Sequence, residues 1–140
     1  MYDLQEITTY RVLCCLIPDK TSAIQFFRQN RILHANRLCD HNHEMKLCLT
    51  DKRDDWRCRK GRCDQTIGLR TGRWLSDFKT NLDSILHFIY WWAQEKTSIK
   101  FCKGELSLDK ETTIRLNLML RVVCAQDLLE NPIKIGMAFF

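Results

Sequence analysis

Over Met45–Thr50 the chain reads M-K-L-C-L-T, and over Thr66–Thr71 it reads T-I-G-L-R-T; in both, apolar and polar positions alternate. A period of two puts successive side chains on opposite faces of a strand. These two segments and Asp54–Cys58 between them therefore predict three short strands, with D-K-R-D-D as one hairpin tip. The period then lengthens. From Asn81 to Gln94 the apolar set Leu82, Ile85, Leu86, Ile89 and Trp92/Ala93 follows the i, i+3, i+4, i+7 stripe of a helix packed on a core, widened by Phe88 and Trp91. Thr21–Gln29, after the Pro18-Asp19 turn signal, predicts a shorter amphipathic helix through Ile24, Phe27 and Leu33. Ser98–Leu106 predicts another short helix, Ser107–Asp109 a tight turn with an N-cap, and Lys110–Glu130 a long helix stopped by Asn131-Pro132. Ile114, Leu118, Val122, Ala125 and Leu129 are the expected buried stripe of that helix.

The pattern predicts an α+β chain: a small ribbon of short antiparallel strands over 31–74, then a helical domain over 75–131 whose last two helices have helix-turn-helix length. Residues 1–30 form an N-terminal helical segment in this reading. At 140 residues, 45% apolar and 28% charged, the composition is that of a folded globular chain. The longest apolar run, Ile85–Ala93, is half the length of a membrane span and contains His87. M-Y-D-L-Q-E opens acidic and has no signal-peptide pattern, so an intracellular protein with no membrane association is expected.

Charge becomes informative once it is located. The segment Arg31–Trp74 holds eleven Lys/Arg against six Asp/Glu, which accounts for the whole net charge of +5. Within it W-R-C-R-K-G-R-C sets Cys58 and Cys63 on a glycine-containing turn among four cations, and C-D-H-N-H lies upstream with Cys39, His41 and His43. Two soft ligand pairs on successive hairpin tips are what a closed tetrahedral zinc site needs, because zinc takes thiolate and imidazole without a geometric preference of its own. Cys39, His43, Cys58 and Cys63 are the expected ligands, with His41 as the rival to His43. A metal would hold a segment too small to bury much core, leaving Arg57, Arg59, Lys60 and Arg62 free to face a polyanion, with Arg70 and Arg73 extending the basic surface.

The remaining chemistry-bearing residues have plainer readings. Cys14, Cys15, Cys48, Cys102 and Cys124 are expected as small core residues and His34 and His87 as structural. The Tyr90-Trp91-Trp92 cluster is expected in the core, and Asp51, Asp54 and Asp55 at a solvated hairpin tip. On the long helix Lys110, Thr112, Thr113 and Arg115 occupy the first turns, the only ones suited to a DNA groove.

Taken in order, C-D-H-N-H-E-M-K-L, D-D-W-R-C-R-K-G-R-C, I-G-L-R-T-G-R-W-L, I-L-H-F-I-Y-W-W, T-S-I-K-F-C-K-G-E-L, L-R-V-V-C-A-Q-D-L-L and N-P-I-K-I-G resemble the N-terminal half of Merlin-superfamily DNA transposases, from about Ser22 to Gly136. The resemblance implies a zinc ribbon and a helix-turn-helix that bind transposon terminal repeats, with Lys110, Thr113 and Arg115 on the reading helix. It also implies a nuclear location and a ribonuclease H-like catalytic domain further on, for which 132–140 would be the truncated start. Here N-P-I-K-I-G-M-A-F-F stands where relatives continue into the strand bearing the first catalytic aspartate. The expectation is DNA binding without catalysis. The alternative is a decayed or co-opted interaction module that binds protein or RNA, and self-association is left open.

Overall fold

The computed structural model describes residue 7 and residues 9–133. Two compact units divide the chain, Met1–His87 and Phe88–Phe140, the division falling within one helix. The first unit opens with α1 (Tyr10–Leu16) and α2 (Lys20–Gln29). Thr9 caps α1 by accepting from the Val12 N–H. Asp19 and Ser22 form a reciprocal capping box on α2, and the Ser22 N–H holds the Asp19 carboxyl below its ordinary range. The period of α2 turns Ala23, Ile24, Phe26 and Phe27 inward.

Three strands follow as an antiparallel meander, β1 (Lys46–Leu49), β2 (Asp54–Arg57) and β3 (Thr66–Gly68). Leu47 lies opposite Trp56, and Trp56 opposite Ile67, so these three share one face of the sheet. Trp56 is buried there, with the Arg28 guanidinium of α2 5.3 Å from its ring centre. The other face carries the cross-strand pairs Lys46–Arg57 and Cys48–Asp55. β3 is shorter than the alternation predicts. Leu69 is buried and makes a last bond to β2 through its N–H to Asp54 O at 3.0 Å, after which the chain turns, with Thr71 N–H bonded to Gly68 O.

The hairpin tip is less solvated than expected. Asp51 is exposed, but Asp54 pairs with Lys20 at 3.0 Å. Asp55 is 2% exposed, gripped by Arg57 at 2.7 Å and approached by Arg53 at 3.9 Å. A carboxylate can be buried here because two guanidiniums accompany it.

A 3₁₀ turn over Trp74–Asp77 leads into α3 (Leu82–Ala93). Leu82, Ile85, Leu86 and Phe88 of α3 are buried as the stripe predicts, while Tyr90, Trp91 and Trp92 are only half-buried. His87 is structural as expected: its Nδ1 lies 2.9 Å from the Tyr10 hydroxyl. Burial pulls the imidazole below its ordinary pKa, opposed in part by Asp83.

In the second unit α4 (Ile99–Glu105) and α5 (Lys110–Glu130) form a hairpin, with Ser98 and Asp109 as N-caps. Cys102 O accepts from both Leu106 and Leu108, and Ser107 takes a left-handed φ of 53° to make the turn. Trp91 meets Phe101 edge-on at 5.1 Å, and the Asn117 amide donates to Thr97 O and Thr113 O.

The inward face of α5 is not the expected one. Thr113, Leu116 and Leu120 are buried, whereas Ile114, Leu118, Val122 and Leu129 are 49–83% exposed and Ala125 is exposed too. Apolar residues surround this helix. At about 100° per residue the two sets sit on opposite sides of it. Cys102 alone of the five expected core cysteines is buried. Cys14 and Cys48 are half-buried, and Cys15 and Cys124 are exposed. On α1 the positions after Leu13 rotate away from the core, and none of the last ten residues of α5 is buried.

Candidate metal centre

Two knuckles build the site. In the first, Asn42 N–H bonds to Cys39 O at 2.9 Å, and Asn42 turns the chain with φ of 61°. In the second, Cys63 N–H bonds to Lys60 O at 3.1 Å, and Gly61 turns the chain with the same φ. Both left-handed residues stand three places after the first cysteine of their knuckle. Glycine takes that conformation without penalty, and asparagine is among the few other residues that tolerate it. Each knuckle is also closed by its first cysteine: Cys39 N–H donates to His43 O and Cys58 N–H to Gln65 O, both at 2.9 Å.

The result is convergence. The donor atoms of Cys39, His43, Cys58 and Cys63 all lie within 4.8 Å of one another, and the four residues could hold a metal ion. Cys39 and Cys58 are buried, His43 and Cys63 half-buried. His43 presents Nδ1, 3.7 Å from Cys58 Sγ. A tetrahedral zinc site with sulfur bonds of about 2.3 Å would set sulfurs about 3.8 Å apart, so the cluster needs only a slight contraction to fit that ion. His41 is exposed and outside the group, its ring 6.2 Å from that of His43. The histidine left open by spacing is thus His43.

Electrostatics favour a cation here. Burial works against the Cys39 thiolate, but N–H groups of His43 and His41 and the thiols of Cys63 and Cys58 outweigh it and hold Cys39 below its ordinary pKa. Cys63 goes the other way. The Gln65 N–H acts to lower it, yet burial and the neighbouring Cys58 and Cys39 sulfurs hold it above its ordinary value. Several anions forced together titrate apart in this manner, and a divalent ion relieves the conflict.

Gln65 is the residue that pattern-reading missed. Its carbonyl closes the second knuckle, its N–H reaches Cys63, and its side-chain Oε1 accepts from Asp40 N–H of the first knuckle at 2.8 Å. One residue therefore ties both ligand pairs together. Only its place two residues past the last cysteine could have signalled this.

The expected DNA-facing residues separate into groups. Arg59, Lys60 and Arg62 are exposed on the second knuckle, and Arg57 is half-buried against Asp55. Arg70 is half-buried, and its guanidinium donates to the carbonyls of Phe78 and Thr80. Arg73 is half-buried ahead of the 3₁₀ turn. On α5, Lys110 and Arg115 are exposed. Thr113 is fully buried with its hydroxyl given to Asp109 O at 2.8 Å, so it is a packing residue that no groove can reach. No described helix is long and apolar enough to cross a membrane. Comparison of the chain with protein-family models, with curated proteins and with solved structures finds no match.

Proposed function

We propose that the chain binds zinc through Cys39, His43, Cys58 and Cys63 and uses the metal-held ribbon to bind the phosphate backbone of duplex DNA, as the end-recognition half of a Merlin-like transposase. The observation that carries this reading is the second knuckle: between two converging cysteine ligands it displays Arg59, Lys60 and Arg62 to solvent. A metal that fixes the turn also fixes those cations, and pre-positioned cations lose less freedom on meeting phosphates. Lys110 and Arg115 at the start of α5 are the further contacts this reading assigns, with Lys110 and Arg115 suited to a groove edge. DNA binding without strand cleavage is part of it, since Asp54 and Asp55 of the hairpin tip are engaged in ion pairs with Lys20 and Arg57.

The test is duplex binding across a salt series, with zinc and after chelation. The reading expects affinity that falls with salt, weakens after chelation, and strengthens for one terminal-repeat sequence. Equal binding with and without metal would overturn the role of the ribbon. Preference for RNA or protein over duplex DNA would make the chain an interaction module instead.

A further inference from the structure

Lys46 and Arg57 stand directly opposite each other on neighbouring strands. Like charges in that position repel at close range and ordinarily weaken a sheet. Asp55, two residues before Arg57 and so on the same face, neutralises Arg57 at 2.7 Å but makes no ion pair with Lys46. The pair also lines a concave cleft, completed by Glu44, Cys48, Arg59 and Lys60. Four cations therefore surround one depression, against Glu44 at its wall and Asp55 buried beneath Arg57. The cleft is lined by two stretches of chain, Glu44 to Cys48 on and before β1 and Arg57 to Lys60 at the end of β2 and the start of the second knuckle, which bring their charges to one spot.

We propose that this cleft is a phosphate socket, in which Lys46, Arg57, Arg59 and Lys60 together receive a phosphodiester group of a nucleic-acid backbone. The proposal rests on the DNA-binding reading and adds to it a position and a residue, Lys46, that lies on a strand and outside the basic knuckle. The chemistry follows from the donors. Two guanidiniums offer planar pairs of N–H groups matched to phosphate oxygens, and two ammonium groups supply charge from the sides. A phosphate held in the cleft would supply Lys46 with an anion of the kind that Asp55 already gives Arg57. A concave wall also limits the approach of water and counterions, which strengthens each contact over its value on an open surface.

Binding and folding should respond in opposite directions to loss of Lys46. The experiment uses the full zinc-loaded chain and its Lys46→Ala and Arg59→Ala variants, with Asp64→Ala as a charge change outside the cleft. Binding to a mixed-sequence duplex is measured across a salt series, and thermal stability is measured without DNA. Lys46→Ala is expected to bind all duplexes more weakly, to make the salt slope shallower by roughly one unit, and to melt no lower than the parent. Inorganic pyrophosphate should shift the amide resonances of residues 46 and 57 in the parent and not in Lys46→Ala. Unchanged affinity and slope in Lys46→Ala, with the parent binding DNA normally, would overturn the socket while leaving the DNA-binding reading intact. A parent that binds no duplex would overturn that reading and the socket with it.

Discussion

Replacing Gln65 by alanine removes the side-chain bond to Asp40 N–H but leaves all four candidate ligands in place. Groups that orient metal ligands typically contribute ten- to a hundredfold in affinity. Gln65→Ala is therefore expected to bind zinc about tenfold more weakly in a chelator competition and still to fold at saturating metal, whereas Cys58→Ser should lose stoichiometric binding. His87 gives a second residue-scale test. Its imidazole titrates below the ordinary 6.5 in the folded chain because it is partly buried, with Asp83 pulling the other way. The unfolded chain then takes up the proton first, so stability is lost as pH falls below about 6.5 toward the folded pKa and levels off beneath it. At saturating zinc, His87→Gln should flatten that part of a stability-against-pH curve. The cysteine ligands were legible because thiol spacing is itself a chemical statement. Gln65 was not, because its contribution lies in three hydrogen bonds that exist only after both knuckles have formed.

Helix α5 shows where periodicity stops being informative. Its bounds follow from the Asp109 cap and the Asn131-Pro132 stop, both visible as residue types. Its buried face does not, since Ile114, Leu116, Leu118, Leu120 and Val122 supply an apolar residue at every second position and thus to more than one side. The longer run of aliphatics lost to the face that includes Thr113, which satisfies its hydroxyl on Asp109 O and so can be buried. Leu116→Ala should cost about 3 kcal/mol of stability by urea denaturation, as a fully enclosed leucine does. Leu118→Ala, at 57% exposure, should change it by less than about 0.5 kcal/mol. Reversed magnitudes would mean that the helix packs by the stripe its sequence advertises.

For the molecule as a whole, metal removal should separate two kinds of structure. The knuckles have few buried apolar groups of their own, while α1, α2 and the helices of the second unit are held by side-chain packing and caps. Chelation is expected to release one zinc per chain and abolish strand-type signal in circular dichroism, with most helical signal retained. Loss of both signals together would show that the metal supports more than the ribbon. The α+β character and the order from α2 onward were legible from the sequence, since the later helices and two of the strands carry their own period, whereas α1 was read only as part of a helical N-terminal segment. The tethers between them were not, because Lys20 to Asp54 and Arg28 over Trp56 join residues roughly thirty positions apart that no local pattern relates.

Arg70 gives one of those tethers a practical meaning. Its guanidinium reaches forward to carbonyls at Phe78 and Thr80, past the point near Trp74 where composition shifts from basic to apolar. A fragment cut at Trp74 would keep every metal ligand yet leave this half-buried cation facing nothing, and a cut after Arg28 would strip Asp54 and Trp56 of their neighbours. The smallest piece able to stand alone thus begins ahead of α2 and ends beyond Thr80, nearly half again as long as the stretch that holds the thiols and the charge.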